Sequence, residues 1–154
     1  TIDLRIRTNR AFHPPADNRP MILIGNGTGL AGLRAHLKAR TALGRNRNWL
    51  IFGERSAAHD YFLKDELTKW CDEGVIERLD LAFSRDQENR VYVQHRLLDA
   101  AADLVRWTDE GAAIYVCGSL EGMASGVNAA LEHILGPERL GTMLETGLYR
   151  RDVY

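Results

Sequence analysis

Met21-Ile-Leu-Ile-Gly-Asn-Gly-Thr-Gly-Leu-Ala-Gly-Leu33 is the stretch on which the reading of this chain turns. Four apolar residues in succession, Met21 to Ile24, suit a strand buried on both faces of a parallel sheet. Glycines follow, and then Leu30, Leu33, Leu37 and Leu43 at the spacing of a helix's inner face. Gly27-x-Gly29-x-x-Gly32 thereby satisfies a dinucleotide fingerprint between a strand and a helix. The chemistry needs glycine because a side chain would keep a pyrophosphate from the backbone N–H groups and from the positive end of the helix. Glycines also cluster in any tight strand-to-helix turn, so the pattern alone decides nothing about a ligand. A P-loop is a poor match, since no Gly-Lys-Ser/Thr follows at the required spacing.

Working outward, the same alternation recurs. Trp49-Leu-Ile-Phe52 reads as a second buried strand, and Asp60 to Glu73 as a helix with Phe62, Leu63, Leu67 and Trp70 inward, ended by Gly74. A third strand is expected over Ile76–Phe83, and a helix over Val91–Thr108 with a core stripe of Leu97, Leu98, Ala101, Leu104 and Val105. A fourth strand, Ala113–Cys117, and a helix, Glu121–Leu135, complete the series. This βαβα succession predicts an α/β fold, a Rossmann-like doubly wound parallel sheet with helices on both faces. Upstream, Ile2–Thr8 alternates apolar and polar residues as a half-buried strand, and Pro14, Pro15 and Pro20 make residues 9–20 a connector. A boundary therefore falls at residue 20, with residues 21–154 as one domain.

Composition narrows the function classes. With 154 residues, 45% hydrophobic and 27% charged, the chain has the makings of one packed domain. Its formal net charge of -1 provides no overall field for DNA, RNA or anionic membrane. No apolar run is long enough to span a bilayer, so a membrane is not indicated. Cys71 and Cys117 form no CxxC pair or disulfide framework, which points to a reduced, cytoplasmic setting. His13, His36, His59, His95 and His133 show no metal spacing, and no metal is assigned.

Ligands of such sheets sit at the carboxyl ends of the strands, so the loops there carry the chemistry. Gly53-Glu54-Arg55 leaves two readings open. Glu54, about 20 positions after the glycines, could accept from a ribose 2′-OH as in NAD enzymes, whereas Arg55 could contact phosphate. Ser84-Arg85-Asp-Gln-Glu-Asn-Arg90-Val-Tyr92-Val-Gln94 gathers a hydroxyl and two guanidinium groups that suit a 2′-phosphate, with Tyr92 offering an aromatic face to adenine. Tyr115-Val-Cys117-Gly118-Ser119 ends a buried strand with a thiol.

Taken in order, GNGTGLAGLR, WLIFGER, DYFLKDEL, AFSRDQENRVYVQ, IYVCG, MA and the terminal YRRDVY resemble the NADPH-binding domain of the ferredoxin-NADP reductase superfamily. The likeness is greatest to the flavoprotein subunit of NADPH-sulfite reductase and its diflavin relatives, and it covers nearly the whole chain. The resemblance implies an FNR-type nucleotide-binding domain, with residues 1–20 as the last strand of a preceding FAD-binding barrel and its linker. It implies that Gly27, Thr28 and Gly29 hold the pyrophosphate and the nicotinamide side, with Gly118 close by and Arg55 adding a phosphate contact. Ser84, Arg85, Arg90, Val91, Tyr92, Val93 and Gln94 would surround the 2′-phosphate and adenine, making the cofactor NADP(H) rather than NAD(H).

The same resemblance places Cys117 beside the nicotinamide C4 and Asp152 near it. It makes Tyr154 an aromatic gate stacked on FAD, whose own domain is not in this chain. The partners it implies are the FAD-binding domain, an FMN-binding flavodoxin-like domain, and an electron acceptor protein. Its function would be to position NADPH for hydride transfer to FAD. The alternative is a stand-alone nucleotide-binding or regulatory module that never meets a flavin. Five positions depart from the family pattern: Asn26 and Gly32 stand where proline is common, Arg90 where Lys is usual, and Ser119 and Gly126 where acidic residues are usual.

Overall fold

The structure is a computed structural model that describes residues 15, 17–26, 30–54, 64–83, 92–118 and 123–153. Among them the chain runs β1 (Met21–Asn26), α1 (Leu30–Ala42), β2 (Asn48–Glu54), α2 (Lys64–Asp72), β3 (Arg78–Phe83), α3 (Val93–Asp99), α4 (Ala101–Asp109), β4 (Ala113–Gly118), α5 (Ser125–Leu135), α6 (Pro137–Thr146) and β5 (Tyr149–Val153). The five strands form one sheet in the order β3-β2-β1-β4-β5, and every neighbouring pair is parallel. The doubly wound α/β sheet expected from the alternation is what the chain adopts.

The unbroken apolar strands are explained by burial on both faces. Met21, Leu23, Leu50, Phe52, Tyr115 and Cys117 pack with Leu33 and Leu37 of α1 and Leu67 and Trp70 of α2. On the opposite face Ile22, Ile24, Trp49, Ile51, Ile114 and Val116 meet Val93, Leu97, Leu104, Trp107, Val127 and Leu131. Each such side chain removed from water stabilises the fold by about 1.5–3 kcal/mol before ordering costs. Gly74 takes φ +78 just beyond α2, the left-handed conformation expected of a residue that stops a helix.

Several expectations need correcting. The helix predicted over Val91–Thr108 is two helices with a bend at Ala100, where φ is -102 and ψ is 22. The buried stripe through the bend is Val93, Leu97, Ala100, Leu104 and Trp107, spaced four, three, four and three. That spacing turns Leu98 outward to 44% exposure and leaves Ala101 and Val105 only half-buried. Leu43 lies past the end of α1 and is 61% exposed instead of inward. The alternation does not predict α6 or β5; β5 carries Arg150, Arg151 and Asp152, which a strand at the edge of the sheet among the described residues tolerates. The strand expected over Ile2–Thr8 and the start of the Asp60–Glu73 helix lie outside the described residues.

At the amino end of the sheet, the segment leading into β1 is held by arginines. Arg40, in the last turn of α1, is fully buried; its Nε donates to Asn48 Oδ1 and its Nη2 to the carbonyl of Arg19. Asn48 in turn donates to the carbonyls of Arg45 and Val75. Arg45 donates to the Pro15 carbonyl and to Asn18, while Arg19 pairs with Asp17 and holds that exposed carboxyl down at about 2. Burial, with the nearby charge of Arg45, pushes the Arg40 guanidinium below its ordinary value. Beside this cluster Arg78 lies 4.3 Å over the Trp49 ring, Trp49 packs 5.4 Å from Trp107, and Arg47 lies 4.9 Å over Trp107.

Replacing Arg40 by Ala strips partners from Asn48 Oδ1 and the Arg19 carbonyl and leaves a void. The expected cost is about 2–4 kcal/mol, read as a lower urea midpoint at unchanged slope. An unchanged midpoint would mean the buried guanidinium contributes nothing net.

Candidate functional site

In an open parallel sheet, the place where the strand order reverses leaves a crevice at the carboxyl ends, and here that place is between β1 and β4. The register sets which residues meet there. Gly25 pairs with Phe52 on one side and Cys117 on the other, and Cys117 pairs with Asp152. One residue further on, Asn26 pairs with Gly53, and Gly118 pairs with Val153. Two of the side chains singled out from the sequence, Cys117 and Asp152, are thus neighbours on adjacent strands although 34 positions separate them in the chain (152 less 117 is 35, with 34 between).

Missing side chains let the pieces close up. A Cβ on Gly25 would lie 2.6 Å from Leu33 Cδ1 and 2.8 Å from the Cys117 carbonyl oxygen, so α1 rests directly on the β1–β4 seam. A Cβ on Gly32 would lie 3.0 Å from Cys117 Sγ, which puts the buried thiol beneath the first turns of α1. The third glycine of the fingerprint therefore serves helix-to-strand packing, as that motif requires. On the other face a Cβ on Gly53 would come within 2.6 Å of Val93 Cγ2, seating the start of α3 on β2.

The other described members of the expected site lie at the start of α3. Tyr92 precedes the helix and is 38% exposed; its backbone N–H donates to Nδ1 of His95 at 2.9 Å, and the two rings sit 5.7 Å apart. Tyr92 thus stands at the start of a helix that is tied to β3 by Arg96 Nε donating to the Leu81 carbonyl. Gln94 faces α5, where its Nε2 lies 3.0 Å from the position of a Cβ on Gly126. Val93, by contrast, has its side chain wholly engaged in the core, which leaves only its backbone for a ligand. Gly27, Thr28, Gly29, Arg55, Ser84, Arg85, Arg90, Val91 and Tyr154 lie outside the described residues.

Electrostatics around β5 complete the region. Arg150 is in register with Tyr115, donates through Nε to the Gly147 carbonyl and bonds the Tyr115 hydroxyl. Burial nevertheless dominates and pushes the Tyr115 phenol up. The Tyr149 hydroxyl donates to Asn128 at 2.9 Å, while Arg151 lies 5.6 Å from the Tyr149 ring. Among the described residues no three His, Cys, Asp or Glu side chains cluster as metal ligands, and no helix is long and apolar enough to cross a membrane.

A parallel α/β sheet whose strand order reverses at β1 and β4, with glycines at the strand ends there, has the architecture of a nucleotide-binding class of domain. A family model described as oxidoreductase NAD-binding domain matches residues 23–129, and the chain belongs to that family. It is 41% identical to the sulfite reductase [NADPH] flavoprotein alpha-component of Vibrio cholerae serotype O1, over an alignment taking in 97% of this chain and 26% of the relative. The proteins of the same name from Bacillus subtilis (strain 168) and Neisseria meningitidis serogroup B are 36% and 38% identical, over 100% of this chain and 27% and 28% of theirs. The chain spans about a quarter of the length of these relatives.

Because Gly25 has α1 pressed against it, Gly25→Ala is expected to lower stability by about 1–3 kcal/mol through overpacking. Gly141→Ala in α6, where an added Cβ meets nothing within 4 Å, should instead raise it by about 0.5–1 kcal/mol. Urea unfolding of both variants checks this, and equal effects would contradict the close seating of α1.

Proposed function

We propose that this chain is the NADP(H)-binding module of a flavoprotein oxidoreductase, holding NADPH so that its hydride can pass to FAD in a neighbouring domain. The observation that carries the reading is the layer Gly25, Cys117 and Asp152, side by side at the carboxyl end of the switch point. Sheets of this kind bind nucleotides at that switch point, and the family and its relatives add the redox setting. Bound there, NADPH would supply the hydride and a flavin would accept it.

The chain's own residues then divide the work of holding and orienting. Gly27, Thr28 and Gly29 would hold the pyrophosphate, with Gly118 and Arg55 adjoining. Ser84, Arg85 and Arg90 would bind the 2′-phosphate by charge-assisted hydrogen bonds, and the exposed Tyr92 ring would lie against adenine. Val91, Val93 and Gln94 would shape that end of the site. Cys117 and Asp152 would line the nicotinamide pocket, and Tyr154 would cover the flavin until nicotinamide arrives. Residues 1–20 would belong to the FAD-binding domain and its linker, and the arginine-held segment before β1 supports a defined junction there. The FAD-binding domain, an FMN-binding domain and an electron acceptor protein would be the partners, in the cytoplasm.

Calorimetric titration with NADP+ and NAD+ tests this on the chain itself. Binding of NADP+ well above NAD+ is expected, with Arg85→Ala weakening NADP+ by about tenfold or more and leaving NAD+ unaffected. Equal affinities, or a preference for NAD+ untouched by Arg85→Ala, would overturn the reading and return Glu54 to the ribose.

A further inference from the structure

Asn26, the last residue of β1, stands in an unusual position. Its neighbour on β2 is Gly53, and on the β4 side lies Gly118, so no side chain flanks it on either strand. Its Cβ is 3.6 Å from where a Cβ on Gly53 would be, while its Oδ1 lies in contact with the place a Gly118 Cβ would occupy. The carboxamide therefore leans away from β2 and across the β1–β4 seam. Met123 closes the far side, with Cε 2.8 Å from the same Gly118 position, and Val93 closes the near side over Gly53. Asn26 is half-buried, and among the described residues its carboxamide takes no hydrogen-bond partner.

A half-buried amide with unfilled hydrogen bonds, held over a glycine at the carboxyl end of the switch point, is placed to bond a ligand. The side toward which it leans selects which part of the ligand. Tyr92, at the start of the helix seated on β2 and β3, lies on the β2–β3 side, whereas Asn26 reaches toward Gly118 on β4. We propose that Asn26 positions the nicotinamide-side half of the bound dinucleotide, its amide hydrogen-bonding the ribose and phosphate oxygens that cross the seam. The proposal rests on the NADP(H) reading above. Gly118 is part of the device, since any side chain there would displace the Asn26 carboxamide.

The test compares two probes that share the adenosine end, NADP+ and 2′,5′-ADP, titrated calorimetrically into the wild-type chain, Asn26→Asp and Asn26→Ala. Asn26→Asp keeps the shape but puts a negative charge where phosphate oxygens would lie. The expected result is NADP+ binding weakened by about tenfold or more in Asn26→Asp and less in Asn26→Ala, with 2′,5′-ADP within about twofold of wild type in both. NADP+ affinity unchanged in both variants, or 2′,5′-ADP weakened as much as NADP+, would overturn the assignment of Asn26. A wild-type chain that binds neither probe would instead overturn the NADP(H) reading and this proposal with it. Urea midpoints of the two variants guard against misfolding, and Asn26→Ala carries the test alone should Asn26→Asp fail to fold.

Discussion

The close seating of α1 on the seam between β1 and β4 is the contact from which the rest of this structure follows. Leu33 presses onto Gly25, the Cys117 carbonyl lies just beyond it, and Gly32 lets the helix come down onto the Cys117 sulfur. A side chain at Gly25 would force the helix off the sheet, and one at Gly32 would push against the thiol. Two absent side chains thus set how closely the amino end of α1 approaches the ends of β1 and β4. The same logic recurs on the other face, where Gly53 admits Val93 and Gly118 admits Asn26 and Met123.

The two ends of the sheet are built from opposite chemistry. At the amino end, large side chains and guanidinium groups fill space: Arg40 on Asn48, Arg78 on Trp49, and Arg47 on Trp107. Charges are satisfied there by partners on other elements, as with Arg47 bonded to both Glu77 and Glu110. At the carboxyl end the strands finish in glycines, Gly25, Gly53 and Gly118, onto which Leu33, Val93, Asn26 and Met123 close.

Much of this was legible in the sequence for a physical reason. Strands buried on both faces must be continuously apolar, so MILI, WLIF and AIYV stood out, and the glycines after the first of them marked the turn that seats α1. The edge strand β5 hid because YRRDV satisfies its charges locally, Arg150 on the Gly147 carbonyl and Arg151 against the Tyr149 ring. The start of α6 is marked in the sequence by Gly136-Pro137, with proline at the first helical position. Within the site, Cys117 and Asp152 came together only through strand order, which spacing along the chain does not encode. The seating of Gln94 over Gly126 and of Asn26 over Gly118 depended on the approach of separate elements and became visible only in three dimensions.

Amide chemical-shift mapping of the labelled chain during addition of NADP+ shows whether a dinucleotide binds at the carboxyl ends of β1 and β4. Binding there gives the largest shifts at Gly25, Asn26, Tyr92, Cys117, Gly118 and Asp152, with the amino-end residues Arg40, Asn48, Trp107 and Glu110 unmoved. Shifts concentrated at the amino end, or spread evenly over the surface, would contradict it.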